Sequence, residues 1–328
     1  MDTSRFPPPD ASGKPESSPD WERKTLEKLA FSSLAEQKAR RRWGIFFKFL
    51  GFAYLTVLLL LAADWEGTEK LADGRHTALI QLKGVIEPGG EAGADKINSA
   101  LRAAFEDKGT VGVVLRINSP GGSPVQSGII NDEIRRLRGK YPQIPLYAVV
   151  EDVCASGGYY VAVAADKIFV DKASLVGSIG VLMDGFGFTG TMDKLGVERR
   201  LLAAGENKGF LDPFSPQDPR QKQLAQAMLA DIHKQFIDVV KKGRGQRLKE
   251  TPEMFSGLVW TGARSVELGL ADGLGTVSSV ARDVIQAEKV LDYTEKENIA
   301  ERFAKRFGAD MVQGAVRALG LAASPQAR

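Results

Sequence analysis

The sequence predicts an α/β fold in which largely parallel strands alternate with helices. Three observations carry that expectation. Val111-Gly112-Val113-Val114-Leu115-Arg116-Ile117 is an apolar run of strand length, as a strand buried in a sheet requires. A glycine turn and a Ser123-Pro124 helix start follow it, with Val125, Ile129, Ile130, Ile134 and Leu137 on one side of the helix. The same strand–turn–helix order then repeats from Pro145 through Val163.

Taken in order, residues 1–20 are rich in Pro, Ser and Asp and have too few large apolar groups to offset the entropy of ordering, so disorder is expected. Residues 21–42 read as a polar helix with Leu26, Leu29 and Leu34 on one side and Lys38-Ala39-Arg40-Arg41-Arg42 at its end. From Trp43 to Ala63 the chain is apolar except for Lys48, which can snorkel to headgroups. At about 1.5 Å per residue the run spans roughly 31 Å, matching a hydrocarbon core of about 30 Å. A buried core helix would show a polar face, which this run lacks. A cleavable leader would not begin past residue 40, although Leu61-Ala62-Ala63 offers small residues for cleavage. Trp43 and Trp65 bracket the span, with basic residues before it and Asp64, Glu66 and Glu69 after it. The positive-inside rule therefore places residues 1–42 in the cytoplasm and the rest outside. The expected organisation is a tail at 1–42, a transmembrane anchor at 43–63, a linker at 64–76, a folded domain at 77–290 and a helical extension at 291–328. Met311, Val312, Val316, Leu319 and Leu321 have helix-like spacing in that extension.

Within the domain, residues 77–82 alternate as a strand does, and residues 145–150 form the next buried strand. The helix after Ser156 holds Tyr159, Val161 and Val163; residues 168–170 and 176–183 read as further short strands. Residues 217–242 form a long helix with Leu224, Met228, Ile232, Phe236 and Val240 at four-residue steps. His233 on that helix is assigned a structural or surface role, and His76 a solvated position just before the first strand.

Composition excludes several classes of function. With 43% hydrophobic and 26% charged residues and a net charge of +3, the chain has no basic surface suited to nucleic acid or a polyanionic substrate. Its one cysteine, Cys154, can form neither an internal disulfide nor a cysteine zinc site, and is assigned to packing. No metal-ligand cluster and no phosphate-binding glycine motif appears, so neither metal nor cofactor is expected.

The chemistry concentrates at Ala155-Ser156-Gly157-Gly158-Tyr159-Tyr160, where a serine opens a helix just after a strand. With only two histidines in the chain, a lysine is the expected base, and Lys208 in Gly205-Glu206-Asn207-Lys208-Gly209-Phe210 is the candidate. A lysine acts as base only when neutral, which requires desolvation or neighbouring positive charge. Leu201-Leu202 and Phe210-Leu211 flank it, and Ser178 is the hydroxyl available to orient it. Gly157 at a helix start, and Gly121 and Gly122 past a buried strand, offer backbone N–H groups for an oxyanion.

Arg116-Ile117-Asn118-Ser119-Pro120-Gly121-Gly122, the Ser156 segment, Val176-Gly177-Ser178-Ile179-Gly180-Val181 and Gly205-Glu206-Asn207-Lys208 together resemble the bacterial serine–lysine peptidases of the signal peptide peptidase A family, in the short, single-repeat form. The resemblance runs from about residue 77 to about residue 290. It implies Ser156 as nucleophile, Lys208 as general base, Ser178 as the lysine's hydrogen-bond partner and the Gly121-Gly122 turn as oxyanion loop. It also implies a fold of strand–strand–helix units related to Clp protease and crotonase, and a ring-like homo-oligomer with serine and lysine from neighbouring protomers. The implied substrates are hydrophobic peptides such as remnant signal peptides, at the bacterial inner membrane with the catalytic domain on the periplasmic side. Two other readings stay open: a crotonase-like enzyme acting on acyl-coenzyme A, and a non-catalytic membrane scaffold in which Ser156 merely caps a helix.

Overall fold

The computed structural model describes residues 19–62 and 74–295. The expected tail up to residue 18, most of the linker and the extension from residue 296 lie outside the described residues. The chain divides into two units, residues 1–70 with 297–328, and residues 71–296.

In the first unit, α1 (Pro19–Ala62) is a single helix that joins the polar stretch to the apolar run. Trp43 meets Phe46 edge-on and stacks on Phe47, each at under 6 Å between ring centroids. Among the described residues no helix is long and apolar enough to cross a membrane.

The second unit is built on a predominantly parallel sheet. Its elements are β1 (His76–Lys83), α2 (Ala94–Glu106), β2 (Thr110–Ser119), α3 (Pro124–Lys140), β3 (Leu146–Ala155), α4 (Gly157–Ala162), β4 (Lys167–Val170), β5 (Leu175–Gly177), α5 (Thr189–Leu195), α6 (Pro219–Arg244), β6 (Val259–Thr261), α7 (Gly262–Glu267), β7 (Gly273–Leu274), α8 (Val277–Ser279) and β8 (Val290–Asp292). The strands lie in the order β6-β5-β3-β2-β1-β8, with β4 beside β3 and β7 beside β4. Among the described residues only the β5–β6 pair is antiparallel.

The continuous apolar run in β2 follows from its central position. Leu115 and Ile117 join the core formed with Ile97, Leu101 and Phe105 of α2 and with Ile130 and Ile134 of α3. Val114, on the opposite side, packs with Leu79, Val149, Val280 and Ile285. A strand covered on both faces has no polar alternation.

Several expectations need correction. The apolar side expected of α3 is narrower than its sequence suggests: Ile130, Ile134 and Leu137 are buried, whereas Val125 and Ile129 are exposed. In α6, Phe236 and Val240 reach the core but Leu224 and Met228 are exposed, and of the first half only the small Ala225 is buried, so the larger apolar side chains pack inward only in the second half of that helix. The strand expected over residues 176–183 stops at Gly177, because Gly177 (φ +116°) and Ser178 (φ +51°) turn the chain out of extended geometry. His76 is buried within β1, not solvated; its ring bonds to Tyr293 Oη at 3.0 Å and to Thr110 Oγ1 at 3.2 Å.

Candidate active site

The site forms at the carboxyl ends of β2, β3 and β5. Ile117 pairs with Val150 but Ser119 pairs with Cys154, so β3 carries an irregularity of register just before Ser156. Such bulges re-aim a strand end. β3 then turns into α4 through Ser156, whose φ of +51° and ψ of −122° are strained for a non-glycine residue. Main-chain bonds hold it there: the Ser156 N–H donates to Gly177 O at 2.9 Å, and Ser156 O accepts from the Tyr160 N–H at 2.9 Å. Behind it, Tyr159 is buried and donates its hydroxyl to Leu270 O, while Asn131 donates to Tyr160 O.

Ser156 occupies the N-cap position of α4, yet its side chain makes no cap hydrogen bond. Ser123 shows the contrast, accepting from the Gln126 N–H at the start of α3. The reading of Ser156 as a mere helix cap loses its physical basis, because capping requires the side-chain oxygen to accept from the first turn.

Gly121 packs directly against this turn. A Cβ on it would stand 2.7 Å from both Ser156 Cβ and Gly157 N, and its φ of +102° disfavours any side chain. Its own N–H is occupied, donating to Ser119 Oγ at 3.1 Å. Of the expected oxyanion donors, Gly121 therefore supplies shape and not a free N–H. The Ile86 N–H donates to Gly121 O at 2.8 Å, and peptide planarity turns the Gly122 N–H away from Ile86. Gly122 N lies 3.3 Å from where a Cβ of Gly157 would sit. Among the described residues the N–H groups of Gly122 and Gly157 have no acceptor.

Cys154 is fully buried and burial pushes its thiol well above the usual range, so it remains a packing residue and not a nucleophile. Ser178 shares the left-handed φ of Ser156 and is tied through its N–H to Leu258 O at 2.7 Å. His233 bonds to Ile179 O at 3.1 Å, a structural role beside that serine.

Lys208 is not tied into this cluster by any hydrogen bond. It sits in an exposed turn, its N–H donating to Gly205 O, and no hydrogen bond within the single chain joins its side chain to Ser156 or Ser178. Gly205 and Glu206 of that turn line a cleft of about 1160 Å³ together with Phe186, Leu201 and Leu211. The surrounding segment is apolar and uncovered: α5 has no buried residue, and Leu182, Phe186, Leu195 and Leu202 are at least 70% exposed. Sequence reasoning missed Ser119 and Ile86, which act through one hydroxyl and one backbone group and carry no signature of residue type.

Residues 139–291, which include Ser156, Ser178 and Lys208, match the sequence profile of Peptidase family S49. The chain is 32% identical over 234 residues to a putative signal peptide peptidase SppA of Enterococcus faecium, covering 69% of this chain and 67% of that protein. It is 31% identical over 207 residues to a putative protease of Synechocystis, covering 63% of this chain and 72% of that one. A Brucella melitensis protein named Na(+)/H(+) antiporter NhaA is 44% identical over 209 residues, 62% of this chain. The chain spans only 28% of that protein's length.

Proposed function

From the membership of this chain in peptidase family S49, whose relatives include proteases, we propose that it is a membrane-anchored serine endopeptidase that cleaves hydrophobic peptides, such as remnant signal peptides, through a Ser156–Lys208 dyad. The observation that carries this reading is the strained Ser156, its hydroxyl not engaged in capping, beside two unpaired N–H groups at Gly122 and Gly157.

In the proposed reaction the neutral amine of Lys208 takes the proton of Ser156 Oγ as that oxygen attacks the substrate carbonyl. The N–H groups of Gly122 and Gly157 receive the developing oxyanion, each worth about 3 kcal/mol in the transition state. The lysine returns the proton to the leaving amine, and water then hydrolyses the acyl-enzyme by the same route. Ser178 orients the amine. The fold on this reading is of the Clp protease and crotonase kind.

Because Lys208 is exposed in the single chain, the reading includes a ring-like homo-oligomer in which a neighbouring copy brings its lysine to Ser156. The uncovered Leu182, Phe186, Leu195 and Leu202 support this, since apolar groups on that scale favour burial against another surface. The run at 43–63 is read as the anchor, with residues 1–42 in the cytoplasm and the peptidase domain on the periplasmic side. The test is labelling of the membrane-extracted full chain with a fluorophosphonate, alongside turnover of a fluorogenic apolar peptide. Wild type should label and turn over, while Ser156→Ala and Lys208→Ala should each lose turnover by at least about 1000-fold. Normal turnover by Lys208→Ala would sink the dyad.

A further inference from the structure

Ser119 is fully buried at the end of β2, one residue before the Pro120-Gly121-Gly122 turn. Its hydroxyl donates to Gly84 O at 2.6 Å and accepts from the Gly121 N–H at 3.1 Å. One hydroxyl has one proton to give and lone pairs to receive, so it can satisfy both groups at once. The same residue backs α4: a Cβ on Gly158 would stand 3.1 Å from Ser119 O and 3.3 Å from Ser119 Cβ. Ser119 thus touches all three segments that frame the candidate oxyanion site. These are the chain beyond β1, the glycine turn and the start of α4.

We propose that Ser119 is a positioning residue that aims the Gly122 N–H into the oxyanion site. The inference rests on the serine-peptidase reading above and extends it to a residue with no place in the dyad. Gly121 and Gly122 have φ of +102° and +148°, and two successive glycines can exchange conformations at little steric cost. A turn this permissive needs external fixing if one of its N–H groups is to point at a reacting oxygen. Two bonds supply that fixing. Ile86 holds the peptide between Gly121 and Gly122 by its oxygen, and Ser119 holds the preceding peptide by its N–H. Removal of the hydroxyl leaves the buried Gly121 N–H and the partly buried Gly84 O without that partner, and a peptide rotation that recovers a partner for Gly121 also swings Gly122. Transition-state stabilisation depends on where the donor points, whereas ground-state binding of an apolar peptide does not.

The test compares wild type, Ser119→Ala, Ser119→Cys and Ser156→Ala in the full-length assembled protein. Turnover is normalised to serines titrated with fluorophosphonate, so unfolded molecules drop out. Ser119→Ala should lose about 10- to 100-fold in kcat with KM within twofold, and should bind a peptide boronate, which forms a tetrahedral adduct, more weakly by a similar factor. Ser119→Cys, whose thiol is a poor acceptor, should fall between the two, and it carries the test if Ser119→Ala does not fold. Turnover per titrated serine within twofold of wild type in the folded variants would overturn the proposal. So would a rise in KM that accounts for the whole loss. If wild type neither labels nor turns over, or if Ser156→Ala retains activity, the serine-peptidase reading itself fails and takes this inference with it.

Discussion

The backbone N–H of Ser156 is bonded to the carbonyl of Gly177 at 2.9 Å, so the candidate nucleophile and Ser178 hang from opposite sides of one main-chain tie. Both serines have φ of +51°. The tie is backed from the far side, where Leu258 O accepts from Ser178 N and the indole of Trp260 lies against Gly177. The antiparallel β6 therefore does more than close the sheet edge: it holds the end of β5 against the residue that turns β3 into α4.

Gly177→Ala tests that arrangement. The added methyl would stand 3.0 Å from Leu258 O and 3.1 Å from Trp260 Cδ1, at a φ of +116° that alanine resists. The expected cost is about 1–3 kcal/mol of stability. Turnover per folded molecule should fall as well, because relief of the clash moves the carbonyl that holds Ser156. Thermal unfolding and active-site titration measure the two effects separately, and unchanged turnover per titrated serine would disconnect Gly177 from the site.

Gly121→Ala and Gly128→Ala form a matched pair. The first places a methyl 2.7 Å from Ser156 Cβ and Gly157 N, so activity should fall by at least about 100-fold, comparable to loss of an oxyanion donor. The second lies within α3 with nothing within 4 Å of the added carbon, so it should leave activity intact and raise stability by about 0.5–1 kcal/mol. Peptide turnover and urea unfolding read the difference.

How much of this was legible in the sequence follows from the range of the forces involved. Local pattern located β1, β2, β3 and α4, because continuous burial and glycine punctuation are written in adjacent residues. The turn at Ser156 was legible for the same reason. α2 went unanticipated: its N-cap is Gly93, which offers no side chain to announce a helix. The end of β5 at Gly177 and the burial of His76 were also hidden, since each is decided by partners distant in sequence, Leu258 and Tyr293. Ser119 was visible in its motif but its role was not, because that role depends on Gly84, thirty-five positions away.

The proposed sharing of the site between copies makes a prediction that no single variant can supply. Ser156→Ala retains the lysine and Lys208→Ala retains the serine, so a mixed ring holds some junctions with both. Random assortment of equal amounts should restore roughly a quarter of wild-type turnover, whereas each variant alone stays inactive. Co-expression of two differently tagged chains, followed by tandem purification and peptide turnover, measures this. No recovery in a verified mixed oligomer would place both groups in one chain.

Glu133 yields the final prediction, with a sign fixed by its surroundings. Its carboxylate, nearly buried on α3, receives Arg136 Nε at 2.6 Å and Nη2 at 2.8 Å, and Arg102 Nε of α2 at 2.6 Å. The Arg136 hydrogen bonds, with Arg102 and both positive charges, outweigh burial and lower its pKa from 4.5 to about 2. A carboxylate held below its unfolded pKa stabilises the fold above that unfolded value, and the contribution is lost as pH falls through the folded one. Because the side chains of both arginines are 52% exposed, solvent screens the pair and the contribution at neutral pH is on the order of 1–2 kcal/mol. Glu133→Gln should therefore unfold at lower urea than wild type above pH 5, with the gap narrowing below about pH 4.5 and closing near pH 2. The difference between the two proteins cancels the titration of every other acid. A gap that stays constant to pH 2 would assign the effect to packing of the side chain and not to its charge.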